Sequence, residues 1–432
     1  VSLKTAPFFN KRLAINITLA ASLLTGLASA NALESAPPAA VGLSATKVQD
    51  FKTELQRRID AGEMPGAVLM VVRNGKIAVK EALGFRDRPN AAPMTTDAIF
   101  LVASMTKPIV SVAVMQLLEQ GKLSLSDPLS KFIPEFKDMK VGVEKTNAEG
   151  KAELALVNAV REITIQDLLR HTSGLTYGYF DDMLVDKLYL SNNLYDPDLN
   201  LEQQVAKLAK LPLKYQPGTT WNYGLSTDVL GRVIEVITGK SLDLALQQMV
   251  TGPLGMQDTN FWVEESKFSR VAFSNTNPAT GNYLTKPPLK SKPTRLSGGG
   301  GLYTTAPDYA RFCQMLLNKG QLDGVRILSR KSVELMTSNH LPAGVRAVKT
   351  SDVSPTPENG LGFGLGFAVR MEAGLATYLG SKGEFFWLGA SGTNFVIDPS
   401  EKMITILLVL QPDKMYPNLR LMRNMGNSII AD

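Results

Sequence analysis

The stretch FLVASMTKPIV (Phe100–Val110) sets Ser104 and Lys107 three residues apart inside an otherwise apolar run. Residues i and i+3 share a helix face, so this spacing puts a hydroxyl beside an amine. Apolar residues bound the pair on both sides, with IFLVA before it and IVSVAVMQLL after Pro108. A lysine in such a segment costs free energy unless it is paired, which is a physical reason to look for function there. Burial or a nearby helix N-terminus would lower its pKa and free its lone pair to act as a base. A serine in the first helical turn also presents its own N–H where an oxyanion can be bound. The chain holds a second S-x-x-K pair, Ser44 and Lys47. That serine opens a polar first turn and reads as a helix N-cap.

Outward from this stretch, the pattern predicts an α/β fold of the α+β kind. LSATKVQDFKTELQRRIDAGEMPG carries Phe51, Leu55 and Ile59 at helical spacing and stops at Gly62 and Pro65. AVLMVVRNGKIAVKEALGF then alternates around Asn74-Gly75, a hairpin signal. The segment after Lys107 reads as a buried helix closed by Gly121, and residues 137–160 read as a polar surface excursion. ITIQDLLRHTSGL, LEQQVAKLAKLPL and STDVLGRVIEVITGKSLDLALQQMVTGPLG are helical by period. After DYARFCQMLL come the apolar strand segments GFGLGFAVRM, FFWLGASGTNFVIDP and MITILLVLQ, and a terminal helix in NLRLMRNMGNSII. The expected organisation is a discontinuous α/β sheet domain, 31–120 with 300–432, and a mostly helical domain, 121–299, with the active site at their junction.

Composition narrows the chemistry. Of 432 residues, 44% are hydrophobic and 20% charged, as in ordinary globular chains. Residues 1–30 combine Lys4, Lys11 and Arg12 with an apolar run and the small-residue site Ala28-Ser29-Ala30. They read as a removable signal peptide, which predicts export to the periplasm or medium and no permanent membrane span. Its loss would take the formal charge from +6 to +3, which gives no reason to invoke nucleic acid. The single cysteine, Cys313, excludes an internal disulfide framework and reads as buried packing.

With two histidines, His171 and His340, and no HExxH, the chain offers no zinc-hydrolase pattern. GxSxG and P-loop motifs are also missing. No metal or cofactor is therefore called for. SGGGG at 297–301 reads as a turn serving close packing. His171 reads as structural, His340 as solvent-facing and Trp262 as packing.

In order, SMTK, DLLRHTSGL, YQPGTTWNYGLSTDVLGRVIEVITG and FFWLGASGTNFVIDP resemble the landmarks of the serine β-lactamase and penicillin-binding-protein-like hydrolases. The resemblance runs from about residue 40 to the C-terminus and is strongest to the family VIII carboxylesterases. It implies a β-lactamase/transpeptidase-like fold, an antiparallel sheet flanked by helices plus a mostly helical domain. It implies Ser104 as nucleophile, Lys107 as its partner, and Tyr223 as the tyrosine acting with the lysine as base and then proton donor. Trp387-Leu388-Gly389 falls where β-lactamases carry Lys-Thr/Ser-Gly and these esterases usually carry Trp-Gly-Gly. Ala390 would follow on that strand and complete an oxyanion hole with Ser104.

Two departures point from anionic antibiotics toward neutral esters. Leu225 stands where the nearest β-lactamases have an asparagine, and Trp387 where they have a cation. The expected activity is hydrolysis of short- to medium-chain carboxylic esters through an acyl-serine, with weak action on β-lactams. The same residues would also serve a β-lactamase, a D-amino-acid peptidase or an amide hydrolase. A catalytically silent peptidoglycan-binding protein is the reading from another class.

Overall fold

The computed structural model describes residues 1–2, 33–88, 90–273, 289–348 and 353–431. The expected signal peptide lies outside them. Among the described residues no helix is long and apolar enough to cross a membrane.

The framework is one eight-stranded antiparallel sheet. Its strands are β1 (Gly66–Arg73), β2 (Lys76–Asp87), β3 (Ala92–Pro93), β4 (Leu361–Phe363), β5 (Ala368–Arg370), β6 (Phe385–Leu388), β7 (Asn394–Asp398) and β8 (Met403–Leu408). They lie in the order β4-β5-β6-β7-β8-β1-β2-β3, so the two ends of the chain meet at β1 and β8. Val68 stands opposite Leu408 and Met70 opposite Ile406. The β1/β2 hairpin turns at Asn74 and Gly75, whose φ of 54° and 76° fit a tight two-residue turn.

All eight residues of β1 are buried, because helices cover both faces of the sheet. Helix α1 (Ala45–Asp60) packs on β2, and α5 (Met415–Ser428) on α1 and β8. Helix α4 (Ala306–Leu317) packs on β1, β7 and β8 and buries Cys313. GFGLGFAVRM folds as the two short strands β4 and β5 rather than one. The Gly364 N–H turns back to the Phe367 carbonyl at 2.8 Å and closes the reversal between them.

Between the sheet segments the regular structure is mainly helical, in short helices joined by loops. Helix α2 (Thr106–Glu119) packs against α3 (Ser226–Thr238) and the short helix Leu242–Leu246. Capping boxes at Thr164 and Asn200 open the helices Ile165–Leu169 and Leu201–Leu208. Residues 140–158 form a two-stranded hairpin, Lys140–Thr146 with Ala152–Asn158, in the polar excursion.

Candidate active site

Ser104 lies in the single 3-10 turn Ala103–Met105, which feeds directly into α2. Ala103 before it has φ 43°, a left-handed conformation that a non-glycine residue holds only where its surroundings impose it. Several contacts impose it here. The Tyr309 hydroxyl donates to the Met105 carbonyl at 3.0 Å, and the Leu302 N–H donates to Thr106 Oγ1 at 3.0 Å. The Ser391 hydroxyl donates to the Leu101 carbonyl at 2.6 Å. The turn is thus clamped between α4 and the sheet.

Lys107 is buried in the first turn of α2, with Nζ 3.0 Å from Ser104 Oγ, 2.9 Å from Tyr177 Oη and 2.6 Å from the Gly299 carbonyl. Burial pulls its pKa down to about 7, and the negative charge of Asp228 opposes that shift. Asp228, in α3, accepts from the Ser297 hydroxyl at 2.7 Å and the Gly299 N–H at 3.1 Å. It therefore anchors Gly299, the residue whose carbonyl receives Lys107. The SGGGG run serves this close packing: a Cβ on Gly299 would lie 2.3 Å from Asp228 Oδ2.

Tyr223 comes in from the loop ahead of α3, with its ring 4.7 Å from Lys107 Nζ. The Trp387 indole N–H donates to its hydroxyl at 3.2 Å. Burial raises its pKa above the ordinary tyrosine value, and hydrogen bonds with Ser104 and Trp387 oppose that rise. Ser104, Tyr223, Trp387, Leu388 and Ala390 line one cavity of about 160 Å³, whose other walls include Tyr179 and Phe180. Gly389 stands behind it, where a Cβ would fall 2.1 Å from the Val102 carbonyl. The turn after β6 uses the N–H groups of Gly389 and Gly392, so that of Ala390 stays outside its hydrogen bonds.

All six candidate residues thus gather at one place, and the second S-x-x-K pair does not join them. Ser44 caps α1 by accepting the Lys47 N–H at 3.3 Å. Leu225 is buried and does not line the cavity. His171 is buried behind Tyr223, their rings 4.8 Å apart, and desolvation holds it well below its usual pKa. His340 is half-buried rather than solvent-facing, since Gln166 and the Leu335 carbonyl engage its two ring nitrogens at 3.0 and 2.7 Å. Sequence reasoning missed Tyr177, Asp228, Gly299, Tyr179 and Phe180. The aromatic cluster in TYGYF, just after the HTSGL turn, was the available signal for three of them. A larger cavity of about 410 Å³, beside Asp243, Gln247 and Trp262, holds none of the candidate catalytic residues. Among the described residues no group of three or more His, Cys, Asp or Glu could hold a metal ion.

With this geometry in place, comparison with known proteins is decisive. The family model described as Beta-lactamase matches residues 51–421. The chain belongs to the β-lactamase family. Within it, the chain is 31% identical over 363 residues to esterase EstB of Burkholderia gladioli, covering 79% of this chain and 85% of that one. It is 37% identical over 357 residues to protein Rv1367c of Mycobacterium tuberculosis, covering 81% and 86%. Among solved structures it is similar to EstCE1, described as a hydrolase with promiscuous acyltransferase activity. That match has TM-score 0.72 and 26% identity and covers 89% of this chain and 98% of EstCE1. This β-lactamase-like chain is accordingly a serine hydrolase of the family VIII esterase branch, with the β-lactamase/transpeptidase-like fold expected from its motifs.

Proposed function

We propose that the protein is a carboxylesterase that hydrolyses short- to medium-chain esters through an acyl intermediate on Ser104. The observation that carries this reading is Lys107, buried, lowered to a pKa of about 7 and 3.0 Å from the Ser104 hydroxyl. A neutral Lys107 spends one hydrogen on the Gly299 carbonyl and one on the Tyr177 oxygen, which leaves its lone pair for Ser104. As Ser104 Oγ bonds to the ester carbonyl carbon, its proton passes to the Lys107–Tyr223 pair. The oxyanion sits between the N–H groups of Ser104 and Ala390, an arrangement worth about 3–4 kcal/mol per donor. Trp387 donates to Tyr223, so the Tyr223 proton is free to reach the departing alkoxide as the C–O bond breaks. Water then attacks the acyl-serine, releases the acid and restores Ser104.

The apolar Trp387 wall favours a neutral ester over an anionic lactam, and β-lactam hydrolysis is a weak side reaction in this account. The division into a sheet region and a mostly helical region meeting at the site belongs to the same proposal. Support comes from the single cavity that Ser104, Tyr223 and Trp387 share. Export to the periplasm or medium rests on the N-terminal composition alone.

Ser104→Ala tests the reading on a short-chain p-nitrophenyl ester. A loss of about a thousandfold or more in kcat is expected for removal of a nucleophile. Full retained activity would overturn the assignment.

A further inference from the structure

Tyr179 and Phe180 are 56% and 43% exposed, although both line the cavity that holds Ser104. Large apolar side chains left in water beside a site mark a surface that something covers. These two belong to a connected series of rings. Tyr177, against Lys107, stacks on Tyr179 at 5.2 Å and 23°. Tyr179 lies 4.7 Å from Phe180, and Phe180 lies 6.0 Å from Tyr223. The series runs from the buried amine to solvent on the side where the Tyr223 ring stands.

The segment that carries it is held at both ends. Lys214, buried, reaches Asp181 at 3.0 Å and Asp186 at 2.6 Å, and the Thr176 hydroxyl donates to Asp186 at 2.7 Å. The Tyr195 hydroxyl donates to the Tyr177 carbonyl at 2.7 Å. The exposed rings are therefore pre-positioned, which lowers the entropy lost when they bind a ligand.

We infer that Tyr179 and Phe180 form a binding subsite for the alcohol part of the ester, and that the alcohol it takes is a flat aromatic one, of the benzyl type. This rests on the acyl-serine reading above. There Tyr223 protonates the leaving alkoxide, so the alcohol must lie beside Tyr223. Trp221 and Trp387 also flank that ring but are buried, and the exposed aromatic rings lining the cavity are Tyr179 and Phe180. Offset or edge contacts between aromatic rings add to simple area burial, and the matched saturated ring lacks them.

The test compares benzyl acetate with cyclohexylmethyl acetate, which share an acyl group and differ only in the aromaticity of the alcohol ring. The wild-type protein should prefer the benzyl ester by about 3- to 10-fold in kcat/KM, the range expected of one or two such ring contacts. Phe180→Leu and Tyr179→Leu, made separately, should each bring that ratio toward one. The mirror pair, methyl phenylacetate and methyl cyclohexylacetate, should keep its ratio in both variants. Absence of a benzyl preference, its persistence in both variants, or a change confined to the acyl pair would overturn the inference. Labelling of Ser104 by a fluorophosphonate reports that each variant is folded, and either variant suffices for the ratio. An unmoved ratio in a protein whose activity depends on Ser104 rejects the alcohol subsite alone. Activity retained in Ser104→Ala rejects the esterase mechanism itself.

Discussion

In the proposed mechanism, Lys107 is the residue on which the chemistry turns. A fully buried amine with no carboxylate touching it is held near a pKa of 7 by desolvation, while the negative charge of Asp228 keeps it from falling further. The sign of the pH dependence follows. Below about 7 the amine is protonated and cannot accept from Ser104; above it, the neutral form is available. Tyr223, with its pKa raised, keeps its proton across that range. A pH profile of kcat/KM should show one ascending limb near 7 and no descending limb below the ordinary tyrosine range. Lys107→Arg, cationic at all accessible pH, should be inactive throughout. A flat profile from pH 5 to 9 would contradict the assignment.

At this scale Ser104 and Lys107 were legible because a lysine within an apolar run is an anomaly that one sequence reveals. Tyr177 was not, because nothing in a string of residues says which of several tyrosines will reach the amine. Leu225, which stands where the nearest β-lactamases have an asparagine, is buried in the core and does not line the cavity, so this departure leaves the cavity wall unchanged.

Among the elements, β6 and its following turn matter most. β6 pairs along its length with β7, from Phe385↔Ile397 to Leu388↔Asn394, but with β5 only at Phe385 and Phe386. The stretch Trp387–Ala390 is therefore unpaired with β5 where it borders the cavity. Gly389 lets it press against Val102, two residues before Ser104, and Thr393 Oγ1 donates to the same carbonyl at 3.3 Å. In Gly389→Ala the new Cβ would meet that backbone oxygen at 2.1 Å, and a backbone atom cannot swing aside as a flexible side chain can. The variant should lose about 2 kcal/mol or more of stability and most of its esterase activity, because the strand and the turn that carries Ser104 must separate. Thermal unfolding and ester kinetics read both effects, and an unchanged Tm with unchanged kcat would refute this role.

Element identities were legible wherever the periodicity was strong. Phe51, Leu55 and Ile59 marked α1, and Asn74-Gly75 marked the first hairpin. The split of GFGLGFAVRM was not, since an apolar run reads alike whether it continues or reverses. Its reversal depends on a tertiary contact, the Leu365 N–H on the Met336 carbonyl at 2.9 Å.

For the molecule as a whole, the sheet is closed by joining strands from near residue 70 to strands from near residue 405, and the site is assembled from segments spread over almost the same span. Ser104 and Lys107 come from α2 and its entry turn, Tyr177 and Tyr223 from loops of the helical part, Gly299 from the glycine run, and Trp387 to Ala390 from β6. The ordered motifs identified most of these segments but not their contacts. The glycine carbonyl on Lys107 and the aromatic rim follow from packing between segments remote in sequence. The proposed mechanism has one chemical consequence above all, an acyl group carried on one serine. Wild-type protein mixed with p-nitrophenyl butyrate and quenched within the first turnovers should gain the mass of one butyryl group, located by peptide mapping to the segment with Ser104. Ser104→Ala should gain none. An adduct on another residue, or full wild-type turnover by Ser104→Ala, would contradict the account.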